Sequence, residues 1–243
     1  MSKHLFALYL EDYSSDKKEL IIKNPLIYHR ITRVLRLSEN EELIIFNKKF
    51  NVLSKIKIID KKTIILVLGQ ANKNLEVKPK ITLAIGMLRK ENFEEIVYSS
   101  VELGVNEIQP LITDKSQKSK ITEKDRERFM RIMISAAEQS KNFCLPVLHE
   151  LITLDNFLEI NLNNHKIYFD VEGQNLANLA KTINKQEESQ SLSLLFGPES
   201  DFSEEEKEQI KKSGFVLARL TPTILRATQA VVVGVGLFRS LFN

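Results

Sequence analysis

Two short stretches carry residue types that could do chemistry. Residues 193–206 read SLLFGPESDFSEEE. An apolar run stops at Gly197-Pro198, a polar corner follows, and Ser203 with Glu206 three residues on forms the pattern that caps a helix N-terminus. Lys211 and Lys212 ahead of Gly214 mark where that helix should stop. Glycine permits a close backbone approach, and Pro198 fixes its own φ and restricts Gly197. Such a corner exposes backbone N–H and C=O groups, and in an open α/β sheet ligands sit beyond the carboxyl ends of the strands. The second stretch, LTPTILRATQA at 220–230, follows the strand-like FVLAR and leads into the apolar AVVVGVGLF. It places Arg226 at the mouth of a helix, where a guanidinium could hold an anion. Each stretch has a plainer reading: an ordinary strand-to-helix turn at 197–203, and an arginine that caps loop carbonyls at 226.

Other chemistries lack their residues. No Gly-x-x-x-x-Gly-Lys-Ser/Thr loop and no Gly-x-Ser-x-Gly elbow is present. Val233-Gly-Val-Gly-Leu-Phe-Arg239 has two glycines of a dinucleotide fingerprint, but it sits inside the last helical stretch, where small residues for close packing explain it better. His4, His29, His149 and His165 show no metal-ligand spacing, so no metal is expected. The single Cys144 excludes an internal disulfide and reads as a small buried hydrophobe.

Elements to position these loops are legible. HLFALYL, ELIIFN, FNVLSKIKII and TIILVLG are short strand-like runs, interrupted by one helical stretch over Pro25–Leu37. Several short strands in about 70 residues suggest a small barrel. The polar stretch 70–80 reads as a linker. Beyond it the pattern alternates: strand ITLAIGML, helix Glu91–Leu103 ending at Gly104, strand EIQPLIT, helix Lys124–Ser140, strands KIYFD, SLLF and FVLAR, and a last helix from Ala227. Strand-helix alternation of this length argues for a mostly parallel α/β sheet.

Composition bounds the class. The chain has 243 residues, 43% hydrophobic and 28% charged, enough for one large domain or two small ones. It has no apolar run long enough for a membrane span, and its N-terminus makes a poor signal peptide, so a cytoplasmic protein is expected. Residues 1–75 hold 14 Lys/Arg against 8 Asp/Glu, whereas the remainder holds 21 against 24. A basic front end fits a partner with phosphates, and it also fits a merely solvated surface.

Taken in order, several short motifs resemble a known family. Gly197-Pro198-Glu199 with Phe202-Ser203 resembles a Gly-Pro-Glu-Gly-Gly-Phe-Ser loop, with Ser200 and Asp201 in place of Gly-Gly. Ile224-Leu225-Arg226 with Ala230 resembles an Ile-Leu-Arg-Thr-Glu-Thr-Ala segment, with Thr228 where an acid often stands. Glu102-Leu-Gly-Val105, Thr113-Asp-Lys-Ser116, Ala136-Ala-Glu-Gln-Ser140 and His29 with Val34-Leu-Arg36 fall in the same order. The chain is similar to SPOUT-class RNA methyltransferases, and within them to the 16S ribosomal RNA uridine N3-methyltransferase family.

The resemblance implies an α/β fold: a C-terminal SPOUT trefoil-knot domain with a mostly parallel sheet over residues 73–243, preceded by a small PUA-like RNA-binding β-barrel over 1–72. It implies S-adenosyl-L-methionine as cofactor, held by Leu195, Gly197, Pro198 and Glu199 on one wall and Leu220, Thr221, Ile224, Leu225 and Ala230 on another. Arg226 and Glu199 are then the catalytic candidates, Arg226 for the uracil anion or the RNA backbone and Glu199 to orient it or to stabilise the loop. Glu138 and Gln139 would support those loops. His29, Arg30, Arg33, Arg36, Lys115 and Lys118 would meet RNA phosphates, with Arg33 and Arg36 sharing a helical face. The partners implied are 16S rRNA of the small ribosomal subunit and a second copy of the chain in a homodimer, with the apolar last helix at the interface. Two alternatives stay open: a catalytically weakened RNA-binding or ribosome-assembly protein with the same fold, and methylation of another RNA position.

Overall fold

The computed structural model describes residues 5–14, 17–116, 120–176, 179 and 191–242. The chain divides into two compact units, Met1–Leu75 with Ala137–Cys144, and Glu76–Ala136 with Leu145–Asn243.

The first unit is built on β1 (Phe6–Tyr9), β2 (Glu19–Ile22), β3 (Glu42–Phe46), β4 (Phe50–Ile59) and β5 (Ile64–Lys73). They form a five-stranded sheet in the order β1-β3-β4-β5-β2, with β1 parallel to β3 and the other pairs antiparallel. Val52, Ser54 and Ile56 on β4 are buried while Leu53, Lys55 and Lys57 are exposed, so alternation puts one face on a core with Leu8, Ile31, Leu43 and Leu66. The helical stretch is shorter than its periodicity predicts. Helix α1 (Pro25–His29), capped by the Asn24 carboxamide oxygen, passes into a π-helical turn at Arg30–Val34, and Arg36 lies beyond it with φ 53°. Arg33 and Arg36 therefore do not share a helical face.

The second unit alternates as expected: β6 (Lys80–Gly86), α2 (Lys90–Glu102), β7 (Glu107–Ile112), α3 (Glu123–Ser140), β8 (Val147–Leu148), β9 (Ile152–Thr153), α4 (Leu154–Ile160), β10 (His165–Asn175), β11 (Ser191–Phe196), α5 (Glu204–Lys212), β12 (Val216–Arg219) and α6 (Ala227–Leu241). The last residues of α3 belong to the first unit, a placement the sequence did not indicate. The sheet runs β12-β10-β11-β6-β7-β8, with β9 also on β7, and every recorded pairing is parallel. Strand β11 sits between β10 and β6, and Leu192 to Phe196 are all buried, as parallel strands covered on both faces require. One face packs Leu195 and Tyr168 against Phe157 of α4 and Ile210 of α5. On the other, α6 approaches at Gly234, where a Cβ would stand 2.9 Å from the Phe196 ring, so the glycine admits the close packing that the sequence suggested.

Arg239 fixes the far end of α6. Its buried guanidinium donates to the carbonyls of Leu103, Pro79 and Gly104 and to Asn106 Oδ1 at 2.9 Å. Burial pulls its pKa down to about 10, so it stays charged at neutral pH. Arg239→Met should cost ~2–4 kcal/mol in urea unfolding, because buried acceptors lose a charged donor together. An unchanged urea midpoint would show that these carbonyls do not depend on it.

Candidate functional site

Because the sheet is parallel, the strand carboxyl ends share one edge, and the segments leaving β6, β11 and β12 meet there. Strand β10 adds to them: its register against β12 slips between Phe169 and Gln174, so residues 170–173 leave the ladder. Together they border an open cleft of about 980 Å3, whose lining includes Asp170, Gly197, Pro198, Glu199, Arg226 and Thr228. A smaller hollow of about 100 Å3, lined by Leu220, Thr221 and Thr223, shares Phe169, Ile224, Leu225 and Ala230 with the cleft.

The 197–203 corner is tightly held. At Gly86, the end of β6, a Cβ would lie 2.6 Å from Pro198 Cδ, so only glycine lets the corner close onto the neighbouring strand. The Asp201 N–H donates to Pro198 O at 2.9 Å, closing a turn, and Asp201 has φ 60°. Asp is among the few non-glycine residues that visit this region readily, which is how it occupies a position where the resembling loop has glycine. The capping box is present: Ser203 Oγ accepts from the Glu206 N–H and Glu206 accepts from the Ser203 N–H. The turn at 113–116 braces the same loop. Asp114 N–H donates to Glu206 Oε1 at 2.8 Å, Ser203 Oγ donates to Asp114 Oδ2 at 2.7 Å, and Lys115 Nζ donates to Phe202 O at 3.0 Å.

The expected site residues are therefore sorted. Gly197, Pro198, Glu199, Ile224, Leu225, Arg226 and Ala230 come together at the cleft, with Leu220 and Thr221 at the adjoining hollow. Leu195 does not; it is fully buried in the core beside Tyr168 and Phe202. Glu199 is engaged by its neighbours, since its Oε1 accepts from Arg89 N at 3.1 Å and Asn92 Nδ2 at 2.7 Å. That places a carboxylate at the start of α2, where Arg89 supplies no side-chain cap. Arg226 is exposed at the N-cap of α6. Ile224 is 85% exposed and Val171 52%, leaving apolar surface uncovered on the cleft wall.

The sequence missed Asp170. Its side chain is buried, and it accepts from Tyr168 Oη at 2.7 Å and from the Glu172 N–H at 2.9 Å. Burial raises its pKa, but these donors and the Lys207 ammonium outweigh that and hold it below the usual value. An acid at the end of the apolar strand KIYFD was the available signal.

Of the candidates for RNA phosphates, His29, Arg33 and Arg36 are exposed on the first unit. Arg30 is ion-paired with the buried Glu138, which also accepts from Tyr9 N at 3.0 Å. Burial pushes the Glu138 carboxyl above its usual range despite those partners. Glu138 thus supports the first unit instead of the cleft loops. Lys115 is occupied with the 200–202 carbonyls, and Lys118 lies outside the described residues. Among the described residues no group of three or more His, Cys, Asp or Glu could hold a metal, and no helix is long and apolar enough to cross a membrane.

A family model for an RNA methyltransferase domain matches residues 75–239, and one for an RNA methyltransferase PUA domain matches 27–69. The ribosomal RNA small subunit methyltransferase E of Buchnera aphidicola subsp. Schizaphis graminum is 30% identical over 100% of this chain and 99% of its own length. The protein of that name from Buchnera aphidicola subsp. Acyrthosiphon pisum is 29% identical over 100% and 96%. Among solved structures, a Legionella pneumophila methyltransferase in complex with bound S-adenosylmethionine is 25% identical, with a TM-score of 0.82 and 98% of each chain covered. The Neisseria gonorrhoeae ribosomal RNA small subunit methyltransferase E, 24% identical with a TM-score of 0.82 over 98% of each chain, shares the fold.

The bonds of Glu199 make a discriminating variant pair. Glu199→Ala should lower stability by ~1 kcal/mol through loss of the α2 cap, while Glu199→Gln, which keeps an acceptor oxygen, should stay near the parent in urea unfolding. Equal loss in both would show that the charge, and not the cap, is what matters.

Proposed function

Since this chain belongs to the ribosomal RNA small subunit methyltransferase E family, we propose that it transfers a methyl group from S-adenosylmethionine to N3 of a uridine in 16S ribosomal RNA of the small subunit. The observation that carries the proposal is the cleft at the carboxyl edge, with Gly197-Pro198-Glu199 on one side and Ile224-Leu225-Arg226 on the other. Its residues fit an adenosyl group. Ile224, Leu225 and Val171 offer apolar surface for a ring, and the strand-end loops offer backbone donors and acceptors for its polar edge.

When bound, S-adenosylmethionine supplies a methyl group already activated by the sulfonium charge. What remains for the chain is placement and charge. Pro198, locked against Gly86, keeps the corner from moving, and a fixed corner holds two reactants in line. Uracil N3 must give up a proton, which passes to solvent water in the open cleft, and the exposed guanidinium of Arg226 stabilises the anion that forms. Glu199, held by Arg89 and Asn92, shapes the site and leaves Arg226 to the substrate. The first unit contributes His29, Arg33 and Arg36 to phosphates, which orient an RNA without selecting its base.

Three features of the class belong to the same proposal: a cytoplasmic enzyme, a homodimer through α6, and a trefoil knot. The half-buried Val232 and Val233 and the 41% exposed Leu237 on α6 support the dimer.

A strain deleted for the gene should lose 3-methyluridine from its 16S rRNA in nucleoside mass spectrometry, and the parent chain should restore it. An unchanged 3-methyluridine level on deletion removes the assignment. With the purified enzyme, Arg226→Ala should lower turnover ~100-fold while calorimetry finds cofactor affinity little changed. Loss of affinity with turnover intact would move Arg226 from the substrate to the cofactor. RNA binding should weaken steeply with salt, and Arg33→Ala or Arg36→Ala should each reduce the slope of log K against log salt by roughly 0.7–0.9. An unaltered slope takes that residue off the phosphates.

A further inference from the structure

Lys207, on the first turns of α5, points its ammonium among three carboxylates. Nζ lies 2.8 Å from Asp201 Oδ2, 3.5 Å from Asp170 Oδ2 and 3.7 Å from Glu204 Oε1. The lysine side chain is only 19% exposed and that of Asp170 5%, whereas Asp201 is half-exposed at 53% and Glu204 is largely solvated. The two carboxylates that matter converge on one hydroxyl as well: Tyr168 Oη is 2.7 Å from Asp170 Oδ2 and 3.4 Å from Asp201 Oδ1. Asp170 and Asp201 both line the cleft, one from the end of β10 and the other from the corner after β11. Two acids drawn to one buried hydroxyl repel each other unless a cation stands between them.

Asp201 is also in a conformation that costs a side-chain-bearing residue something, with φ 60°. The turn hydrogen bond to Pro198 O and the short contact to Lys207 hold it there together. We propose that Lys207 is a positioning residue, whose bridge between Asp201 and Asp170 keeps the corner after β11 in the conformation that completes the cofactor cleft. The proposal rests on the assignment of that cleft to S-adenosylmethionine. It adds that the corner depends on a cation from α5, which nothing in the local pattern of the loop announces. Lys207 itself is not among the residues that line the cleft. Its effect passes through Asp201.

A positioning role predicts rescue. Lys207→Met leaves Asp170 and Asp201 in mutual repulsion, and Asp201 moves out of the turn. Removing the repulsion should undo the damage, since glycine adopts the same φ without strain. In calorimetry, Lys207→Met should weaken S-adenosylmethionine binding ~10-fold, and KM for the cofactor should rise while kcat changes less. Lys207→Arg should stay close to the parent. The double variant Lys207→Met/Asp201→Gly should return most of the lost affinity, and Lys207→Met/Asp201→Asn should do the same by removing the charge. Additive losses in either double variant would overturn the proposal, and so would Lys207→Met binding as the parent does. If Lys207→Met does not fold, the Asp201→Gly double variant carries the test: a folded, cofactor-binding protein supports the bridge, and an unfolded one overturns it. Failure of the parent chain to bind S-adenosylmethionine is a different result, and it removes the cofactor assignment itself.

Discussion

Strand β11 has neighbours on both sides and helices on both faces, with Leu192 to Phe196 buried and hydrogen-bonded into β10 and β6. A strand so enclosed has one way out, through the middle of the carboxyl edge. Whatever leaves it must turn at once, because β6 ends beside it at Gly86. That steric demand explains Gly197-Pro198, and it explains why a cleft forms here and not at the sheet margins. The carboxyl ends of the parallel strands must share an edge, so the loop after β12 is delivered to the same place although 19 residues of chain lie between Phe196 and Val216. The cleft follows from strand order before any side chain lines it.

The polar groups around the corner divide into those that build and those left available. Glu199, Ser203, Glu206, Asp114 and Lys115 all spend their hydrogen bonds inside the fold. Each satisfies a backbone group or a helix end that would otherwise face a crowded edge. Arg226 and Ile224 stand exposed on the opposite side. A site organised this way braces the loop with some residues and leaves others exposed to a ligand.

This division also shows what could be read from the sequence. Local patterns were legible because their partners are local. The Ser203/Glu206 capping box, the stop of α2 at Gly104 with φ 68°, and the buried run of β11 all depend on neighbours within a few residues. Close packing at Gly234 was legible because two glycines in an apolar helix have few other uses. Long-range pairings were not. Lys115 looked like a phosphate ligand, yet its target carbonyl is 87 residues away, at Phe202. Glu138 looked like a brace for the cleft but pairs with Arg30, 108 residues off. Composition shows that a charge exists, and only the fold shows which opposite charge or carbonyl meets it. Leu195 was placed at the site by the resemblance, but alternation along β11 turns its side chain to the face that packs Tyr168 and Phe202.

The first unit contributes differently. Its excess of basic residues is spread over the sequence, and the exposed His29, Arg33 and Arg36 are set by the short α1, the π-helical turn and a positive φ, not by one regular face. A π-helical turn shifts the residues after it out of α-helical phase, and Arg36 lies beyond it at φ 53°, so Arg33 and Arg36 are not one turn apart on a regular helix. Exposed cations without a regular helical repeat suit a ligand whose charge is repeated along its length. An RNA backbone has that repeat, and contacts to it supply affinity without discriminating between bases. Under the proposed function, base selection then falls to the second unit. The cleft of the second unit, with its apolar walls and one exposed arginine, has the chemistry to recognise a single ring.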